Sequence, residues 1–566
     1  MFIHQTKRGS VMSTENETKK FAFTRRKTLG LLGAAGVTSY FAPNILGKNA
    51  ALAAPPSSPA GQLIIGISQE PTVFNPHKLH LEVDEGVQFA LYDTLYKMND
   101  KGGFEPSLAE VPTVANGGIS ADGLNWHIKL RSDVKWHDGK PFTADDVKFT
   151  LELLVDPKFN SWRRTGHELI RDMKVVSPTE LTWRMERPFA PYPSILAATF
   201  IVPAHAFDGV TDKNTSPLDK APIGTGPFKF VNRKPGDSIE VAANHDYFGE
   251  GPYIEKIVYR YVPSTTVLYT QFKTGDIDLV SISWITPDNY QEAKQLANKV
   301  VKVMPSSSIE CIAFNTGKAP LNESAVRNAI YLAFDKESAI EQLYYGVPTS
   351  TESYMPQQSP YYNPNLPKHE YSPEKAKKLL DDAGWVPGSD GIRVKGGVRL
   401  SFTNSTTAGN QLREQLQQFL QQTLKDVGIE MKIQNMPAAV LFADFWLKSQ
   451  FHSIMHGQDY LTGADPDTSD FFLSTNSAAK GGGGLNFWQY ANPEVDKLLA
   501  EGGKLFVPEQ RRPIYAKIQE IVRNDLPFIT MFQNARVRGY KEGINGYAAN
   551  VNVRIDTWNI TDWYRS

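Results

Sequence analysis

Residues 124–154 read LNWHIKLRSDVKWHDGKPFTADDVKFTLELL. Trp126, Ile128 and Leu130 alternate with His127 and Lys129, and Val134 and Trp136 resume the two-residue period of strands buried on one face. Asp138 and Gly139 supply a tight hairpin turn, since both tolerate positive φ at little steric cost. Thr143 then stands where a helix N-cap belongs, with Asp146 three residues on, and Val147, Leu151, Leu154 and Val155 share one helical face. The unit reads as hairpin, turn and capped helix, and it carries no catalytic constellation.

Working outward, further compact motifs follow in order: YDTLY at 92–96, PSLAEVPT at 106–113, APIGTGPFKF at 221–230, QFKTGDIDL at 271–279 and FNTGKAPLNESAVRNAIYLAFDKESAI at 314–340. YSPEKAKKLLDDAGW, DPDTSDFF, NFWQYANPEVDKLL and DLPFITMF complete the series. With LRSDVKWHDGKPFTADDVKFTLE at their head, these segments closely resemble the solute-binding proteins of dipeptide and oligopeptide-type ABC importers, family 5 of the extracellular solute-binding proteins. The residues themselves give mixed α/β. Strand-like runs at 63–67, 181–185 and 257–262 alternate with helices, one capped by Asn322 and carrying Val326, Ile330 and Ala333, another opened by Ser372 and Pro373 and ending near Ala383 and Gly384.

The resemblance implies a two-lobed α/β periplasmic binding protein, its lobes hinged, with an additional domain inserted in the first lobe. By motif position the first lobe takes 61–90, 216–310 and 536–566, the added domain 91–215 and the second lobe 311–535. The chain would cross between lobes near 304–314 and 533–537. A ligand that touches both lobes then favours the closed form, which is what a transporter would read.

Composition agrees with a large chain able to bury two or three cores: 566 residues, 41% hydrophobic and 21% charged. The formal charge of -1 hides an asymmetry. Residues 1–53 hold 8 of the Lys and Arg against 2 Glu, leaving 52 basic and 59 acidic residues, or -7, for the rest. That balance argues against a nucleic-acid partner. Thr24, Arg25, Arg26, Lys27, Thr28 and Leu29, the weakly apolar run LGLLGAAGV and the triplet Ala51-Leu52-Ala53 read as a twin-arginine signal cleaved after Ala53, with 54–60 as linker. The apolar run is too short to span a bilayer. Its expected partner is the twin-arginine export machinery and its destination the periplasm, as a monomer. The single cysteine, Cys311, lies far from the signal, so neither an internal disulfide nor a lipid-modified cysteine after the signal is expected, and a small buried hydrophobe is its simplest role.

For the ligand, the resemblance points to segments entering a cleft. Trp284 follows GDIDLVSIS as a stacking group or a packing aromatic; Asn404, after 398–402, is a cleft residue or a turn residue. In HGQDYLTGADPDTSDFF, peptide-binding members place a carboxylate a few residues before the DP or EP step, where it pairs with the substrate's α-amino group. Without gaps that position is Thr462; the nearest carboxylate, Asp459, fits if the loop is three residues longer. Asp459 and Tyr460 are taken as cleft residues, as are Asn486 and Trp488 in GGGGLNFWQYANPEVD. The glycine run lacks the GK[ST] of a phosphate loop.

An enzyme is the rival class. His452 and His456 have i, i+4 spacing, but Ser453 stands where a zinc hydrolase needs Glu, and packing or loop histidines are preferred. No nucleophile elbow, dinucleotide loop or cysteine cluster is present. No cofactor or metal is expected, and His137 belongs to the hairpin. The expected partners are a small solute and ABC permease subunits, the solute a short peptide or peptide-like compound such as an opine, with an oligosaccharide behind it and nickel chelates least expected. A periplasmic sensor or chaperone-like binder would use the same cleft.

Overall fold

The computed structural model describes residues 54–460, 463–482 and 484–566, without the side chains of 282–284, 439 and 478. The expected signal at 1–53 and Thr462 lie outside the described residues. The fold is α/β and two-lobed. Its spine among the described residues is an eleven-stranded mixed sheet in the order Glu430–Ile433, Ser401–Ser405, Ser453–Gln458, Lys299–Phe314, Phe528–Lys541, Leu279–Ile285, Ala60–Ile67, Ile254–Tyr261, Ser238–Ala243, Phe228–Lys234, with Thr349–Ser350 against Phe528–Lys541.

Two long antiparallel strands carry the sheet from one half to the other. Lys299 faces Lys541 at one end of the pair and Ala313 faces Phe528 at the other, and the register breaks between Pro305 and Ile309. Pro has no amide to donate to a ladder, which suits the chain to a break there. On one side of it Leu63, Ile65, Val241, Ile257 and Leu279 pack under Val83, Val87 and Leu91 of the helix Glu82–Leu91. On the other, Phe402, Met431, Met455 and Ile529 pack under Val326 and Ile330 of Ser324–Ala333 and Leu416, Leu420 and Leu424 of Gln411–Asp426.

A further core gathers Trp126, Ile128, Trp136, Val147, Leu151, Leu181 and Trp183. The alternation at Trp126 and Ile128 is a strand, Asn125–Lys129, but its partner is Glu180–Met185, fifty residues on. The expected hairpin shrinks to a single bridge, Lys135 to Pro141, around a turn in which Gly139 has φ +89 and its N–H bonds the Trp136 carbonyl. Stacking of Trp126 on Trp183, at 5.7 Å and 13°, explains the preference: the remote strand brings a second buried indole, worth about 1 kcal/mol beyond its buried area. The helix Ala144–Val155 starts as expected, with the Asp146 carboxylate accepting from the Thr143 N–H at 2.9 Å. The same carboxylate accepts from the Trp136 indole at 3.2 Å and the Ala204 N–H at 2.9 Å, so the cap also fastens the turn to the helix.

His137 belongs to this turn, its Nδ1 accepting from the Gly224 N–H at 3.2 Å and its Nε2 lying 3.0 Å from the Gly226 carbonyl. The glycines of APIGTGPFKF are thereby explained. A Cβ at Gly224 would stand 1.8 Å from the Leu91 carbonyl oxygen, so only glycine lets this segment pass the end of the first helix. Asn322, the expected cap, stands one residue before the N-cap of Ser324–Ala333, a position that Glu323 takes. Ser372 caps Pro373–Asp382 as read, and Gly384 follows with φ +84.

Candidate ligand-binding cleft

The crossing strand supplies the floor of the candidate site. Its register break holds Ser306, Ser307 and Ser308, the middle one buried and its neighbours half-buried, and Gln533 on the neighbouring strand donates from Nε2 to the Ser306 carbonyl at 2.8 Å. A cavity of about 30 Å³ opens here, lined by Met304, Ser306, Ser307, Arg536, Arg538 and Asp556 among others. One wall is a ladder of ion pairs. Both terminal nitrogens of Arg536 meet the Glu82 carboxylate, and Arg538 Nε lies 3.1 Å from Asp556, which also accepts from Ser281 at 2.7 Å and Tyr547 at 2.8 Å. Burial works against the Arg536 charge, but Glu82, Asp556 and Asp459 more than offset it and hold the guanidinium above its ordinary range.

Asp459 directly follows the strand Ser453–Gln458, half-buried, and accepts from Ser307 Oγ at 2.6 Å. Among the described residues no cation lies within 4.0 Å of this carboxylate, so its strongest contact is to a neutral hydroxyl. Glu310, two strand positions beyond Ser308, shows the contrast: it is gripped at both oxygens by Arg413, at 2.5 and 2.9 Å.

The other expected site residues go elsewhere. Asn404 is fully buried, donating to Ser453 Oγ at 2.8 Å and accepting from Gln417 at 2.7 Å. Asn486 is fully buried too, its amide bound to the Leu473 and Tyr490 carbonyls and its oxygen to the Tyr490 N–H. Trp488, 0% exposed, donates to the Phe471 carbonyl at 3.2 Å and stacks on His456 at 5.6 Å. Tyr460 lies between Phe472 and Phe528, its hydroxyl 3.5 Å from Cys311 Sγ. In this structure the polar atoms of these four are engaged by neighbours within the protein. Trp284 falls in the strand Leu279–Ile285, its side chain outside the described residues.

Cys311 is buried, and burial raises its thiol well above the usual range, as a packing residue requires. His456 is sealed between Trp446 and Trp488, and burial pushes it down to about 3, leaving it neutral. The DP step has a packing role as well. Asp465 receives two parallel hydrogen bonds from Arg511, at 2.6 and 2.8 Å, and both side chains are buried.

The sequence reading missed Ser307, Glu82, Arg536, Arg538 and Asp556. Its available signals were the serine triplet interrupting the apolar run at 299–314 and the alternating cations of NARVRGYK at 534–541.

Residues 103–483 match the family described as bacterial extracellular solute-binding proteins, family 5 Middle. The chain is similar to the oligopeptide-binding protein AppA of Bacillus subtilis, 29% identical over 89% of this chain and 91% of that one. The solved structure of AppA from Bacillus subtilis in complex with a nonapeptide aligns with TM-score 0.73 and 28% identity, covering 91% of this chain and 100% of that one. NikZ from Campylobacter jejuni in complex with Ni(L-His) aligns with TM-score 0.75 and 27% identity, covering 89% and 99%. The chain belongs to family 5 of the bacterial extracellular solute-binding proteins.

Proposed function

We propose that this protein captures a short peptide or a peptide-like solute such as an opine between its lobes, and hands the closed complex to the permease of an ABC importer. The carrying observation is the Asp459 carboxylate, half-buried beside the crossing strand with Ser307 as its partner. Arg536 acts on this carboxylate only through space, so a ligand ammonium would be its contacting cation, and a charge-assisted hydrogen bond there contributes about 1.5–3 kcal/mol. The ion-pair wall of Glu82, Arg536, Arg538 and Asp556 favours a charged solute over a neutral sugar.

The relatives are named for different cargoes, an oligopeptide in one case and nickel in another, so family membership leaves the solute class to the site. In this reading the lobes meet at Pro305–Ile309 and at Gln533–Ala535, 91–215 form the added domain, and closure turns on the register break. The separate core around Trp126 supports that division. The reading gives the protein a binding role without catalysis. It also takes the arginine pair at 25–26 and the triplet at 51–53 as a twin-arginine signal delivering an unanchored protein to the periplasm.

Mass spectrometry of solute released on denaturation, with a thermal-shift screen of peptides, opines and oligosaccharides, tests the proposal. A ligand at a hundred times its dissociation constant stabilises by about 2.7 kcal/mol. Hits confined to oligosaccharides would overturn it. Loss of periplasmic protein in a strain without the twin-arginine translocase tests the export route.

A further inference from the structure

The strands Tyr96–Met98 and Phe104–Pro106 pair across a turn that the C-terminal stretch holds in place. Asn550 donates to the Met98 carbonyl and Asn552 to the Asn99 carbonyl, each at 3.1 Å. The Asn99 side-chain oxygen closes the turn by accepting from the Gly103 N–H at 2.8 Å. A backbone corner from 311–535 stands against it. The Ala464 N–H donates to Met98 Sδ at 3.3 Å, and a Cβ at Gly463 would lie 2.7 Å from both Sδ and Cε of Met98. The contact runs on along the turn, since a Cβ at Gly102 would meet Pro360 at 3.0 Å and Ala464 at 3.8 Å. This corner is anchored in turn: Asp465, next after Ala464, is gripped by Arg511 of the helix Pro508–Asp525.

Met98 is 4% exposed, and part of its cover comes from a remote stretch of chain. Among the described residues Ala464 is the one fully buried member of the Trp126 core that lies outside 91–215. Met185 belongs to the same core at 0% exposure, inside the strand Glu180–Met185. The two methionines therefore differ in what separation of the lobes would do to them. Opening strips Gly463 and Ala464 from the Met98 sulfur and leaves Met185 within its own domain.

A thioether is a weak hydrogen-bond acceptor and a ready site of oxidation. We propose that Met98 is an oxidative modification site, taken by peroxides in the open form, whose sulfoxide blocks closure. With hydrogen peroxide, a sulfur lone pair attacks one oxygen; the O–O bond breaks as the S–O bond forms. Sulfur gives up two electrons, and the second oxygen leaves as water with the proton of the first. No oxygen fits between a sulfur and an amide nitrogen 3.3 Å apart, and Gly463 already fills the space beside that sulfur. The oxidised side chain is also polar where the contact was apolar. The inference rests on the reading of two lobes that close on a solute, whichever solute it is.

The test treats the unliganded wild-type protein and Met98→Leu with hydrogen peroxide. Peptide mass spectrometry follows each methionine, solution scattering the radius of gyration, and calorimetry the affinity for tri-alanine. The expected result is that Met98 gains oxygen at least tenfold faster than Met185, that the treated wild type becomes more extended, and that its tri-alanine affinity falls at least tenfold. Methionine sulfoxide reductase should restore both properties, and Met98→Leu should show the same radius and affinity before and after treatment. Oxidation of Met98 no faster than that of Met185 would overturn the proposal, as would a Met98 sulfoxide that leaves the radius unchanged. Equal losses in Met98→Leu would assign the effect to another methionine and overturn it too. Failure of the untreated protein to bind tri-alanine would count against the peptide reading alone, because the oxidation rates and radii still decide the role of Met98. The wild-type measurements need no variant to fold.

Discussion

Ser307 on the strand Lys299–Phe314 donates its hydroxyl hydrogen to Asp459 at 2.6 Å, tying the carboxylate that follows Ser453–Gln458 to the register break of the two longest strands. A neutral donor orients the carboxylate without neutralising it. Asp459→Asn should therefore weaken amine-bearing peptides more than tenfold, about 1.4 kcal/mol, and leave N-acetylated peptides unchanged. Equal losses for both, measured by calorimetry, would remove Asp459 from ammonium recognition.

Asp465 and Arg511 form a buried, doubly hydrogen-bonded pair, with Arg511 set 5.8 Å from the Tyr361 ring and 5.2 Å from the Tyr515 ring. Removing one partner of such a pair leaves an uncompensated buried charge, at a cost of about 3–5 kcal/mol. Asp465→Ala should lower denaturant stability by that order, and Asp465→Ala with Arg511→Met should recover much of it. A neutral effect of the single change would show that the pair is open to water.

Local rules made the helix cap at Thr143 and Asp146 legible, because both partners lie within one turn. The partner of the Asn125–Lys129 strand was hidden because it lies fifty residues downstream and was selected by stacking of Trp126 on Trp183. The same limit applies to the site. Trp488 and Asn486 sit in a segment that resembles a cleft-lining one, but their contacts with Phe471, Leu473 and Tyr490 turn them inward, and no period in the sequence encodes that turn.

Asp467 gives a pH dependence of definite sign. Burial first, and the Asp465 charge second, raise its carboxyl from 3.8 to about 6. The folded state then binds more proton than the unfolded state between about pH 4 and 6, so stability falls as pH rises through that window and levels off above it. Asp467→Asn removes the titration. The variant should gain about 3 kcal/mol at pH 7.5 and little at pH 4, followed by thermal melts across the range. A gain of the same size at both pH values would assign the effect to packing instead.

Closure carries its own contact. Phe506, from the turn between the helices Pro493–Gly502 and Pro508–Asp525, packs into the core of Trp126, 6.4 Å from that ring, and the Ala190 N–H donates to the Gly503 carbonyl at 2.9 Å. Gly123 makes room for the ring: a Cβ there would stand 2.2 Å from Phe506 Cε2. These contacts join 91–215 to 311–535, so in the proposed lobe division they form only when the cleft closes. Phe506→Ala deletes apolar area buried in the closed form alone, which shifts the population toward the open form by the free energy of that burial, about 1–2 kcal/mol. The expected outcome is a five- to thirtyfold weaker peptide affinity with a larger radius of gyration in solution scattering of the unliganded protein. Unchanged affinity together with a lower melting temperature would show that the ring stabilises the added domain in both forms and takes no part in closure.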